Sequence, residues 1–335
     1  MKKIILFLVL VHINLYGSIE YGSIELMKNE YLVLKIDEEQ YIKKKLQSEA
    51  SLLKFYLDKK EIVFDNLYIK KETIFFELLD SDDVLKLKAL LSKEFSSLQV
   101  NNKNQIYELK LTSLKINELV DKSVASLQKS FKDNGIYPKD SIYARFLTFI
   151  GLMDELRVDV KKLDGDKILV ESRNINTQKD IDIVRTILIS KSFGLYEVVE
   201  QEEKLNITQM YMSDITQKDK KYLLQKVPIL TTSMIRKASV GFTGSDNRPS
   251  LILTFTPLGK KILADYTSTH ISKKMAVVID EEVYVAPLIV DGIFGGKLQI
   301  TGDFDAKELH DLSISINADF LMPMGVVESK SFVEE

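Results

Sequence analysis

Apolar residues recur along this chain in two alternating rhythms. From 31 to 37 (Tyr-Leu-Val-Leu-Lys-Ile-Asp) they crowd as in a strand with a buried face, and from 38 to 58 they fall on one side of a lysine-rich amphipathic helix. The same reasoning predicts a strand pair over 61–70 and 72–79, a helix over 82–95, a strand over 105–112 and a long helix over 114–134. Strands at 156–163 and 167–173 follow, joined by the turn Asp164-Gly165-Asp166, then a helix over 177–189 capped by Asn176 or Thr177. Strand pairs with helices packed on one side predict an α+β fold. Helices 81–95 and 177–189 each follow a strand pair, which hints at two related β-β-α units. Residues 200–230 are polar and lysine-rich with one proline, and read as the crossing between subdomains.

The last third is patterned more sharply. Ser250 to Thr256 is β-branched and aromatic, as in a strand buried on at least one face. Pro257 stands where a helix begins, since its missing N–H would be an orphan there, and Thr256 is the N-cap candidate. Leu258, Ile262, Leu263 and Tyr266 give the helix 258–269 one apolar stripe. Met275 to Ile279 and Val283 to Val290 form a hairpin around the acidic turn Asp280-Glu281-Glu282. Pro287 lacks a ladder donor and belongs at a strand edge or end. Gly295-Gly296 reads as a tight turn with positive φ, and Thr301-Gly302 as the opening of a last helix.

These blocks carry a family resemblance. Ala238 to Gly244, Pro257 to Leu263, Thr267 to Met275, Ala276 to Asp280, Val283 to Pro287, Ile293 to Gly296 and Ile300 to Gly302 resemble, in order and spacing, the first periplasmic domain of SecD, an accessory subunit of the bacterial Sec protein-export machinery. Upstream, Ile24 to Asp37 occupies the place of the family's opening strand, with Lys28 and Asn29 where two glycines would stand. Leu127 to Ile136 is similar to the family's amphipathic helix and its glycine stop, and Asp166 to Glu171 to the strand after it. Residues 139–155, including Phe146 to Met153, read as an insertion. The resemblance covers residues 22 to 330. It implies a ferredoxin-like base carrying an inserted α+β head subdomain that moves relative to it. Transferred by position, the base is 22–200 closed by 303–330, the head 201–302, and 331–335 a tail. The motif residues carried over as structural are Gly135, Gly241, Pro257, Gly259, Asp280, Pro287, Gly295, Gly296 and Gly302.

Composition narrows what such a chain does. The 335 residues, 45% hydrophobic, suffice for one large core or two modest ones. Forty-six basic against 49 acidic residues leave a net charge of −3, and nothing recommends a nucleic-acid partner. Lysine runs such as Lys43-Lys44-Lys45 read as solvated helix faces. There is no cysteine, hence no disulfide or thiolate chemistry. At the N-terminus Lys2-Lys3 precedes the apolar run Ile4 to Val11, interrupted by His12 and Asn14, which is short of the roughly 20 residues a membrane span needs. Residues 1–17 therefore read as a signal peptide or, since Asn14 to Gly17 matches the end of the family's first membrane helix, as a short membrane anchor. Either places the chain in the periplasm or at the periplasmic face of the inner membrane. In SecD, membrane helices that conduct protons follow this domain. None follows before Glu335, so the resemblance calls for a separately encoded, SecF-like or other membrane subunit.

No enzymatic constellation emerges. His270 and His310 fall on different predicted helices without metal-ligand spacing, and no nucleophile elbow, Walker or dinucleotide loop occurs, so neither metal nor cofactor is expected. A binding surface is the stronger expectation: an exposed strand edge for an extended client, with Phe242, Phe255, Tyr266, Tyr284 and Phe294 supplying apolar contacts. The competing reading of those five is core packing. The function expected is assistance to protein translocation through the Sec channel by binding emerging unfolded chains. The alternative is a degenerate or repurposed exported binding module without a transport role.

Overall fold

The structure, a computed structural model, describes residues 29–112, 115–138, 141, 156–173, 175, 184, 186–188, 191–200, 205–243, 248–302, 304–318 and 323–331. The expected N-terminal targeting segment, nearly all of the expected 139–155 insertion and most of the helix expected over 177–189 lie outside the described residues. The chain divides into two compact units, 1–37 with 115–189 and 321–335, and 38–114 with 190–320. Strand β1 (Asn29–Ile36) begins the first unit. The chain then leaves it for α1 (Glu38–Lys59), β2 (Phe64–Lys70), β3 (Thr73–Leu78), α2 (Val84–Glu94), β4 (Leu98–Lys103) and β5 (Ile106–Leu111). It returns with α3 (Ile116–Asp133), β6 (Arg157–Lys162), β7 (Lys167–Arg173) and helical backbone at 184 and 186–188. A second departure builds β8 (Phe193–Glu197), β9 (Gln209–Ser213), β10 (Lys221–Gln225), β11 (Leu230–Thr231), β12 (Ile235–Thr243) and β13 (Arg248–Phe255). It continues through α4 (Pro257–Thr269), β14 (Met275–Ile279), β15 (Glu282–Val285), β16 (Lys297–Ile300) and α5 (Ala306–Ala318), and β17 (Met324–Ser331) closes the first unit.

In the first unit the antiparallel order β17-β1-β7-β6, with one helix between β1 and β6 and a second between β7 and β17, is the ferredoxin-like arrangement. Period-two burial of Ile168, Val170 and Ser172 on β7, and of Val158 and Val160 on β6, makes one face apolar. Helix α3 offers a matching stripe of Leu119, Val120, Ser123, Leu127 and Phe131, and Gln128 Nε2 donates to the Val160 carbonyl at 3.1 Å. The helix stops as its glycine predicts. Gly135 has φ +79°, its N–H donates to Lys132, and Ile136 N–H donates to Phe131 at 2.9 Å, with Ile136 and Phe131 both buried.

The second unit has two large cores among the described residues, and a smaller cluster of Tyr196, Leu224, Ala276, Val278 and Val283. In one, Leu53, Leu57, Phe76, Leu87 and Leu109 gather between the sheet β2-β3-β5-β4 and helices α1 and α2. In the other, the sheets β11-β8-β14-β15 and β12-β13-β16 enclose Leu195, Leu230, Leu253, Leu263, Val277 and Leu312 with α4 and α5. Helix α1 serves both: Leu52 packs on each core, and Ser51 Oγ donates to the Ile229 carbonyl at 2.8 Å. The expected base, 22–200 closed by 303–330, therefore differs from the observed grouping, since 38–114, 190–200 and 303–320 belong with the second unit. The expected crossing over 200–230 is also corrected. It contains the β9–β10 hairpin and β11, and it buries Leu223, Leu224, Val227, Ile229 and Leu230, because its lysines occupy only the solvent side. The last helix opens at Ala306, where Asp305 Oδ1 accepts the Glu308 N–H at 2.7 Å, rather than at Thr301-Gly302.

Candidate functional site

The motif and contact residues carried from the sequence all lie in the second unit except Gly135. Thr256 Oγ1 accepts the Gly259 N–H at 3.1 Å and Pro257 takes the first helical turn, as their chemistry dictates. Gly259 is required by proximity: a Cβ there would sit 2.7 Å from the Met234 carbonyl oxygen. Gly241 faces Ile252 in the neighbouring strand, and Gly302 lies under the Phe304 ring. Asp280 and Glu281 both take positive φ, 49° and 66°, in the two-residue turn between β14 and β15. Strand β15 ends at Val285, so Pro287 follows it, accepting from Met275 N–H through its carbonyl. Of the glycine pair only Gly296 has positive φ, 67°, and it lies on the Lys260 side chain.

The five candidate contact residues do not form one patch. Phe255 and Tyr266 are 4% and 8% exposed, so the alternation of β13 and the stripe of α4 place them in the core, not on a client-facing surface. Tyr266 stacks on His270, 4.0 Å between ring centroids, beside a 270 Å³ cleft between α1 and α4 lined by Phe55, Ile229 and Ile262. Tyr284 is half-buried and stacks on Phe304, and burial, reinforced by Glu308, Asp280 and Glu282, pushes its phenol up to about 12. Phe242 and Phe294 are 60% and 61% exposed. Phe242 pairs with Pro249 at one end of the β12-β13-β16 sheet, whereas Phe294 precedes Gly296, which faces Phe255 at the other end. Roughly six residues at ~3.3 Å each therefore separate the two ends, on the order of 20 Å.

Two exposed features remain, one around each phenylalanine. The first is the outer edge of β12. Phe255 N–H donates to Gly296 at 3.0 Å, so alternate residues of β13 turn to β16 and those between them, Ser250, Ile252 and Thr254, turn to β12. Their partners Gly241, Ser239 and Lys237 use up that side of β12, and the backbone groups of Ala238, Val240 and Phe242 point outward. Ala238 is closed by a side chain: its N–H donates to Asn317 Oδ1 at 2.7 Å and its carbonyl accepts from Asn317 Nδ2 at 2.9 Å. Val240 and Phe242 have no such partner among the described residues. The second feature is a ridge that sequence reasoning missed apart from Phe294. Residues 288–290 pair with 272–274, through Ser272 N–H to Ile289 and Ile289 N–H to Lys273, both 2.8 Å. Ile289 turns inward, and Leu288 and Val290 turn out. The signal was present in the run 288–290, whose alternation must expose two apolar residues if it buries the third.

Residues 208–322 match the family model of the SecDF P1 head subdomain. Beyond that segment, protein translocase subunit SecD of Calditerrivibrio nitroreducens is 24% identical over 92% of this chain, and that of Rickettsia bellii 24% over 94%. Over most of its length the chain is similar to SecD. It spans 60% and 59% of the length of those two relatives. A solved SecDF structure in a super-membrane-facing form superposes over 88% of this chain and 35% of its own, at 18% identity and a TM-score of 0.47. The segment matched to the SecD-type head begins after β8 and ends past α5, so both exposed features, the β12 edge and the 288–294 ridge, fall within it. No helix among the described residues is long and apolar enough to cross a membrane.

Proposed function

We propose that this chain works on the periplasmic side of the inner membrane as a SecD-type subunit, assisting translocation by holding extended segments of emerging polypeptide. The observation that carries this reading is the β12 edge, where the outward backbone groups of Val240 and Phe242 stand open beside an exposed phenyl ring. An extended chain satisfies such an edge with its own backbone and reads little sequence, which suits clients of many kinds. Contacts this short hold weakly, as a client that must move on requires. The chain acts as a binding subunit and not as an enzyme. Its partners are unfolded exported polypeptides, the Sec channel and a SecF-like membrane subunit that supplies the driving force, and residues 1–17 direct it to the membrane as a signal peptide or anchor.

A photo-crosslinking residue at Phe242, in cells exporting a stalled reporter, tests the reading. Adducts with the reporter, absent when the probe sits at Lys129 of the first unit, are expected. Equal or no yield at the two positions would sink the client role. Co-purification of the chain with the Sec channel from mildly solubilised membranes tests the partners, and a chain recovered alone points to a repurposed module.

A further inference from the structure

The ridge formed by Ile271, Leu288, Val290 and Phe294 is separate from the β12 edge and has its own chemistry. Val290 is 80% exposed and Phe294 61%, so these side chains stand out from the surface instead of lining a groove. They are held together by backbone pairing of 272–274 with 288–290 and by Ile293 N–H donating to Thr267 Oγ1 at 2.8 Å, which pins the 292–294 turn to the end of α4. The Phe294 ring folds over Gly292, where a Cβ would meet it at 2.6 Å.

The charges around the ridge are mainly basic. Lys274 lies across the pair from Leu288, and Lys273 across from Ile289. At the other end Lys297 follows Gly296, and the Lys260 side chain packs against that glycine. Lys260, Lys273 and Lys297 are exposed and enter no ion pair among the described residues, while Lys274 meets Glu200 only at 3.9 Å. On the ridge itself the one carboxylate is Asp291, whose Oδ1 accepts the Gly292 N–H at 2.7 Å.

We propose that this ridge is a membrane-surface contact, with its apolar side chains entering the interface of a bilayer and the surrounding lysines meeting anionic lipid phosphates. A protruding apolar crest ringed by cations matches a soft, negatively charged surface. It does not match a second copy of the chain, which would bring the same lysines face to face. The contact does not depend on client binding at β12.

The absence of cysteine makes the test clean. The full chain with Val290→Cys carries an environment-sensitive fluorophore and is titrated with vesicles of equal parts phosphatidylglycerol and phosphatidylethanolamine, or of phosphatidylcholine. A blue shift on the anionic vesicles only is expected. Lys273→Gln and Lys297→Gln should each weaken it, on the order of fivefold per lysine. The same label at Val100, on β4, should stay in water, which separates local insertion from tethering through residues 1–17. A label at Val290 that remains water-like, a shift indifferent to lipid charge and to the lysines, or a shift produced by an unfolded polypeptide in place of vesicles would each overturn the proposal. Circular dichroism confirms that the exposed substitutions leave the fold intact.

Discussion

Two glycines of similar sequence standing answer to different forces. At Gly259 an added methyl meets the Met234 carbonyl at 2.7 Å, and that carbonyl cannot retreat without losing the Thr256 N–H it accepts at 2.8 Å. Gly259→Ala should cost about 1–3 kcal/mol, more than the ~1 kcal/mol that alanine gains in a helix. At Gly135 nothing lies within 4 Å of the added Cβ, and the penalty is backbone alone, about 1–2 kcal/mol for a left-handed conformation. Urea titration of the full chain should show the first loss in the unfolding of the second unit and the other in the first unit. Tyr284 gives a pH signature. Its folded pKa of about 12 exceeds the unfolded value near 10, so its contribution is complete below pH ~10 and declines as pH rises toward 12. Tyr284→Phe keeps the stack on Phe304 and should flatten the alkaline end of the stability profile.

Among the elements, the Asn317 amide on Ala238 does what a further strand would do, and does it for one residue. Ala238 is 2% exposed, so Asn317→Ala leaves a buried N–H and a buried C=O without partners, at a cost of about 1–3 kcal/mol. Hydrogen exchange should quicken at the Ala238 amide and leave Ser239, paired with Ile252, slow. Asn317→Asp retains the acceptor but faces the Ala238 carbonyl with a carboxylate, and should be no better than alanine. This clip was not legible in the sequence, since nothing local joins residues 79 apart. What was legible had a period: the stripes of α1, α3 and α4, the alternation on β7 and β13, and the Thr256-Pro257 start. Strand β4 escaped because five of its six residues are exposed and polar residues carry no alternation there. Strand β8 escaped because Phe-Gly-Leu-Tyr-Glu is short and becomes a strand by pairing with β14 eighty residues on. The burial of Phe255 followed from the same alternation as Leu251 and Leu253, whereas Phe242 differs only in lying where the sheet ends.

At the scale of the whole molecule, the segment recognisable as a head and the unit that folds are not the same set of residues. The match over 208–322 omits β8, which stands between β11 and β14 and contributes the buried Phe193 and Leu195 to the core. It also omits α1, which lays Leu52 and Phe55 on that core and ties it down through Ser51 to Ile229 and Ser48 to Ser233. Without β8 the sheet splits into β11 alone and the two-stranded β14–β15, and a lone hairpin is marginal in water. An isolated 208–322 chain should therefore lack a cooperative thermal transition and show dispersed amide resonances only weakly. Residues 190–320 should recover part of the fold, and a single chain joining 38–114 to 190–320 through a flexible linker should melt as one unit. Equal cooperativity in all three would mean that α1 and β8 decorate a self-sufficient core. Failure of the 190–320 chain alone, with rescue by 38–114, would show that the two departures of the backbone from the ferredoxin-like sheet fold as one body, because the helix that opens the first supplies a wall of the core built by the second.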